Sequence, residues 1–178
     1  FSDVVNLVKE QVNDPTLDHT NFIDLTSNEE SGSFLEGTGS IVFDRAYKVA
    51  FAARSHRTNE NLVKEVAKHL GYRTFIFDAA DKNGKPIYHT NVLMSLGSRV
   101  AVVCLDALNN ISERSALIHE LTSGGRRETL VISHEQMEQF AGNCLEVRPY
   151  NPKFTQDRVL DINDMRTFMV MSKTAKNS

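Results

Sequence analysis

The strongest constraint on this fold is repetition. A pattern of two strands, a helix and one more strand runs twice after Phe34 and begins a third time. Small or polar residues lead into an apolar strand at Thr38-Gly39-Ser40-Ile41-Val42, at His89-Thr90-Asn91-Val92-Leu93 and at Ala141-Gly142-Asn143-Cys144-Leu145. Asn91 follows Ser40 by 51 residues, and Asn143 follows Asn91 by 52. Units of this length stack so that each buries its sheet against the next. The expected class is α/β: two full ββαβ copies and part of a third, arranged as a solenoid or a propeller-like array. Such an array leaves an edge for something to cover, which favours self-association.

Residue patterns locate the elements within the copies. The first copy predicts strands at Ser40–Phe43 and Lys48–Ala52 around a turn at Asp44–Tyr47, and a third strand at Thr74–Phe77. Between them Leu62, Val63, Val66, Ala67 and Leu70 line one helical face, with Thr58 as cap and Gly71 as stop. Asn83-Gly84 marks a tight turn. The second copy predicts strands at Val92–Ser95, Val100–Leu105 and Thr129–Ile132. Its helix is capped by Ser112, carries Ala116, Leu117 and Leu121, and ends at Gly124-Gly125. Ser133 to Gln136 has the form of a capping box. The third copy is interrupted by a polar stretch with Pro149 and Pro152 and resumes at Thr167–Met171. Before the copies, residues 1–14 have helical spacing and Ser27–Ser33 is polar and loop-like. The expected organisation is an N-terminal segment, 1–33, and repeats over about 34–88, 89–140 and 141–178.

Composition narrows the function classes. Twenty Lys+Arg against 23 Asp+Glu give a formal charge of −3, without the basic excess of a nucleic-acid or anionic-membrane binder. No apolar run reaches the length of a bilayer span. Two cysteines, Cys104 and Cys144, are too few for a disulfide scaffold, which favours a reducing, cytoplasmic setting. The chain begins with Phe1 and not Met, so an upstream piece is expected to be missing.

The segments Leu35-Glu36-Gly37-Thr38-Gly39-Ser40, His56-Arg57-Thr58, Tyr88-His89-Thr90-Asn91-Val92 and Phe140-Ala141-Gly142-Asn143 stand at related places in the copies. In this order they resemble the amidinotransferase and arginine deiminase-like superfamily of guanidino-modifying proteins, the penteins, in its citrulline- and amidine-related branch. The resemblance implies an α/β-propeller, of which this chain is an incomplete member. It also implies a hydrolase or amidinotransferase in which a cysteine thiolate attacks a guanidino or amidine carbon of arginine or an arginine derivative, through a covalent intermediate, with water or an amine as the acceptor. His89 would be the general acid/base, and Glu36 would hold the guanidinium or orient His89. Arg57 matches an arginine that meets a substrate carboxylate. Asn91 stands where relatives carry an aspartate, and Asn143 lies at the matching place in the third copy; both are candidate substrate contacts. No metal or organic cofactor is implied, and the expected partner is a small guanidino molecule.

The chain departs from that pattern in one respect. The family nucleophile lies near the C-terminus of the last repeat, and neither Cys104 nor Cys144 matches it, so it is expected outside this chain and the chain alone is expected to be inactive. The alternative is a non-catalytic ligand-binding or assembly module on the same fold. Structural readings stand beside the functional ones. Arg57, next to Thr58, suits a surface ion pair, and Cys104 suits an inert core thiol. Arg126-Arg127 after Gly124-Gly125 suit solvated charges beyond a helix stop. The remaining histidines show no metal-ligand spacing, and no phosphate loop or nucleophile elbow is present.

Overall fold

The computed structural model describes residues 24–147 and the strand at 168–170. The helix expected over 1–14 and the polar stretch around Pro149 and Pro152 lie outside these residues. The chain divides into two units, 1–32 and 33–178. In the first, Thr26–Ser31 forms a 3-10 helix where the polar composition predicts a loop. The Asp24 carboxylate starts it by accepting from the Thr26 N–H (3.0 Å) and hydroxyl (2.6 Å).

The second unit opens with a helical turn, α1 (Gly37–Ser40). An antiparallel hairpin follows, β1 (Val42–Asp44) and β2 (Val49–Ala53). Helix α2 (Glu60–His69) then carries the chain to β3 (Arg73–Phe77), which lies parallel to β2. A helical crossover is what a parallel pair requires. The same order recurs in α3 (Thr90–Leu93), β4 (Met94–Leu96), β5 (Val100–Val103), α4 (Ile111–Thr122) and β6 (Glu128–Val131). Again the first pair is antiparallel and the second parallel. Helix α5 (His134–Glu138) leads to the third copy, where β7 (Leu145–Val147) pairs antiparallel with β8 (Phe168–Val170).

Two strand starts differ from expectation in the same way. Ser40 and Val92–Leu93, expected to be extended, close one-turn helices, and the strands begin later, at Val42 and Met94. The hydroxyls of Ser40 and Thr90 take backbone partners there, which competes with a sheet ladder. Two helix caps also shift by one or two residues. Asn59, not Thr58, accepts from the N–H groups of Asn61 (2.9 Å) and Leu62 (3.3 Å). Asn110, not Ser112, accepts from Ser112 (2.9 Å) and Glu113 (3.4 Å). Asparagine is as good a cap as serine and better than threonine, and Thr58 is buried, bridged to Leu35 and Ser55. Gly71 (φ 71°) follows the end of α2 as expected, and Ser133 with Gln136 forms the capping box.

The core joins the copies. Alternation along β2 sends Val49, Phe51 and Ala53 to one face and Ala50 and Ala52 to the other. The two alanines sit under Val63 and Ala67 of α2. The opposite face joins Leu93, Met94, Val102 and Leu117 of the second copy in one cluster. Each such large side chain contributes about 1.5–3 kcal/mol when fully buried. The first strands of successive copies are neighbours: β1 packs on β4, and β4 on β7.

A buried ion pair crosses the same joint. The Arg127 guanidinium donates to Asp44 Oδ2 (2.6 Å) and Oδ1 (3.1 Å), and its Nε–H to Gly97 O (2.5 Å). The two side chains are only 6% and 3% exposed. This corrects the expectation that Arg126-Arg127 are solvated. Arg127 is drawn inward by a carboxylate that the bidentate fork of an arginine fits, and the Arg126 guanidinium covers the Tyr47 ring at 3.9 Å. Among the described residues no helix is long and apolar enough to cross a membrane.

Candidate active site

Three segments, Leu35–Ser40, Arg54–Thr58 and Tyr88–Thr90, are tied together by hydroxyl groups. The Glu36 N–H donates to Arg57 O (3.2 Å) and to Ser40 Oγ (3.0 Å), and the Ser40 hydroxyl donates to the same Arg57 carbonyl (2.8 Å). Thr90 ties the second copy to the first: its hydroxyl donates to Ser40 O (2.6 Å) and accepts from the Ala53 N–H (2.8 Å). Ser55 does the same for the loop, donating to Tyr88 O (2.7 Å) and accepting from the Arg57 N–H (3.1 Å). Small hydroxyl residues suit this work, because each hydroxyl donates and accepts at once.

These ties bring Glu36, Arg57 and His89 to one place. His89 Nε2 lies 2.5 Å from Glu36 Oε2. With Glu36 ionised, Nε2–H is the donor, and the pair is a charge-assisted hydrogen bond. Arg57 Nη1 approaches the same oxygen at 3.5 Å. The His89 ring is half-buried against Gly39: a Cβ at that position would stand 2.8 Å from Nδ1 and 2.9 Å from Cε1. Tyr88 lies beside the group. Its ring centroid is 4.9 Å from that of His89 and 5.1 Å from the Arg57 guanidinium carbon. Behind it, the Arg57 Nε–H donates to His56 Nε2 at 3.3 Å.

The other candidates stand at the margin. Asn91 is half-buried in α3, and Asn143 is exposed, its N–H donating to Phe140 O (3.0 Å). Among the described residues neither asparagine side chain bonds to Glu36, Arg57 or His89. The third copy reaches this region closely all the same, since a Cβ on Gly142 would collide with the Val92 carbonyl. Both thiols are free. Burial pushes each of them up from the ordinary cysteine value, and Cys144 donates to Ala141 O at 3.0 Å. Neither is poised as a thiolate. Beside the site Arg54 pairs with Glu60 (2.5 Å) and Asp78 (3.3 Å). Bonds from Lys64 and then Arg54 push the Glu60 carboxyl down to about 2. No group of three His, Cys, Asp or Glu residues suited to a metal forms among the described residues.

Sequence patterns missed Tyr88, Gly39 and the three hydroxyls. Thr38-Gly39-Ser40 and His89-Thr90-Asn91 carried a signal for two of the hydroxyls, Ser40 and Thr90, since each puts a small hydroxyl just before an apolar strand, whereas Ser55 had none.

No curated protein matches the sequence. Among solved structures, apo ArgZ, an arginine dihydrolase from the ornithine-ammonia cycle in Cyanobacteria, is 21% identical, with a TM-score of 0.50 over 64% of this chain and 17% of that chain. The N-terminal domain of ArgZ bound to product is 19% identical, with a TM-score of 0.50 over 62% of this chain and 38% of that chain. An AgrE mutant in binary complex with L-arginine is 21% identical, with a TM-score of 0.50 over 62% and 16%. The chain thus spans about two fifths of that N-terminal domain and about a sixth of the longer chains. These likenesses show the fold, a mixed α/β one with small sheets. The match to the family described as "N,N dimethylarginine dimethylhydrolase, eukaryotic" runs through residues 4–178. With nearly the whole sequence matched, the chain belongs to this dimethylarginine dimethylhydrolase family and so to the guanidino-modifying superfamily that its motifs resemble.

Proposed function

We propose that this chain is part of a hydrolase acting on the guanidino carbon of arginine or an arginine derivative. The observation that carries the reading is the 2.5 Å contact between His89 Nε2 and Glu36 Oε2, made by residues 53 apart in sequence. Family membership supports the substrate class. In this reading Glu36 orients His89 and attracts the guanidinium, while Arg57, Asn91 and Asn143 contact the rest of the substrate. A thiolate attacks the guanidino carbon, and the leaving amine takes a proton from His89, which forms an S-amidino intermediate. Water then attacks that carbon, passes a proton to His89 and releases the thiolate and a ureido product. We assign the thiolate to a cysteine other than Cys104 and Cys144, whose thiols burial pushes up. A reactive thiolate favours a reducing compartment, which supports the cytoplasm.

The repeats at 34–88, 89–140 and 141–178 then form parts of an α/β-propeller. Packing of β1 on β4 and of β4 on β7 supports that arrangement, because the first strands would line its axis.

The test uses arginine, N,N-dimethylarginine and citrulline, titrated into the chain while imidazole resonances are followed by NMR. Both guanidino compounds are expected to shift the His89 signals, and the ureido compound is expected to shift them less. No response to either guanidine would overturn the proposal. The chain alone is expected to form no citrulline. Steady turnover that disappears in Cys144→Ala would move the nucleophile to Cys144.

A further inference from the structure

The chain sets a guanidinium of its own against the candidate site. The Arg57 guanidinium carbon lies 5.1 Å from the Tyr88 ring centroid, and Nη1 lies 3.5 Å from Glu36 Oε2. An aromatic face and a carboxylate are the two surfaces that attract this cation, one through the ring quadrupole and the other through charge. We propose that Tyr88 and Glu36 together form the seat of the ligand guanidinium, and that the Arg57 side chain competes for that seat. The inference rests on the guanidino reading above and adds Tyr88 as a specificity residue.

Three observations carry it. The position is chemically equivalent to a bound ligand head group, because a ligand guanidinium and that of Arg57 are the same cation. The seat adjoins the imidazole: Tyr88 and His89 are 4.9 Å apart by ring centroid, and His89 Nε2 meets the same Glu36 oxygen. A guanidinium on Tyr88 therefore lies beside the proposed proton donor. The hold on Arg57 is also loose. At 3.5 Å, with side chains 44% and 43% exposed, the ion pair is the weak solvated kind. The backbone of Arg57, in contrast, is fixed by Glu36 and Ser55. Release thus needs side-chain rotation and the loss of one exposed 3.3 Å bond from the Arg57 Nε–H to His56 Nε2. A tethered competitor still acts at an effective concentration on the order of millimolar, so it lowers the apparent affinity for any free guanidine. A ligand that also carries a carboxylate gives the displaced Arg57 a new partner, so arginine gains over agmatine.

The experiment is calorimetric titration of agmatine and of arginine into the chain and into Arg57→Met, Tyr88→Leu and Tyr88→Phe, each checked for folding by thermal melting. Agmatine, which lacks the carboxylate, is expected to bind Arg57→Met about two- to fivefold tighter, the size of an exposed ion pair or cation–π contact. Tyr88→Leu is expected to weaken agmatine by about twofold or more, and Tyr88→Phe, which keeps the ring face, to bind it as the parent does. Unchanged agmatine affinity in Arg57→Met, with arginine alone weakened, would make Arg57 a plain carboxylate clamp and overturn the competition. Unchanged affinity in Tyr88→Leu would remove Tyr88 from the seat. If no variant binds either guanidine, the guanidino reading itself falls, and this inference with it.

Discussion

His89 owes its position as much to a missing side chain as to its partner. Gly39 lies so close that an added Cβ would stand 2.8 Å from Nδ1, while Glu36 holds the opposite edge of the ring at 2.5 Å. An imidazole confined on both edges has one useful orientation, and pre-set orientation is what proton transfer needs. Gly39→Ala should push the ring off Glu36 at a stability cost of about 1–3 kcal/mol, as over-packing does. The check is the Nε2–H proton signal in NMR: it should weaken or vanish in Gly39→Ala while the fold persists by circular dichroism. An unchanged signal would show that the ring does not depend on this glycine. At this scale the sequence was informative about chemistry, and its resemblance to the family already set Glu36 against His89, which the structure holds 2.5 Å apart; it was silent about what surrounds the pair. Glu36 and His89 stood out as a carboxylate and an imidazole next to the repeated strand starts. Tyr88 and Gly39 did not, because an exposed aromatic and a small residue acquire meaning only from the neighbours that folding brings to them.

Helices begin where a side chain can accept from free backbone N–H groups, and here asparagines do this work. Asn59 accepts from two such groups at the head of α2, and Glu60 follows in its first turn, tied to Lys64 one helical turn later at 2.5 Å. Asn59→Ala should lower stability by about 1 kcal/mol and Asn59→Ser by much less. Urea unfolding of the three proteins measures this, and equal midpoints would show that the cap contributes nothing. Apolar spacing was enough to locate α2 and α4 and their order among the strands. It could not choose between Thr58 and Asn59, because both are polar residues before the same apolar face. That choice was made when Thr58 was buried in bridges to Leu35 and Ser55.

The first two copies share an apolar cluster, the Thr90 hydroxyl ties and a buried ion pair. Asp44 ends the first strand of one copy, and Arg127 precedes the last strand of the next, 83 residues away. Removing one partner strands a buried charge, which costs about 3–5 kcal/mol, whereas replacing both with apolar residues is often tolerated. Arg127→Met should therefore lower the unfolding midpoint strongly, and Asp44→Leu with Arg127→Met should recover part of the loss. Denaturant unfolding of single and double variants gives the coupling, and additive losses would show that the pair does not join the copies. By itself the sequence determined the α/β class, the ββαβ order and its recurrence, since apolar periodicity and turn residues act over a few neighbouring positions. Only the tertiary structure decided that Arg127 is buried, that Ser40 and Thr90 close helical turns, and that Glu36, Arg57 and His89 share one oxygen atom. Each of those outcomes depends on residues some twenty to eighty positions apart, whose meeting is set by how whole copies pack and not by any local pattern.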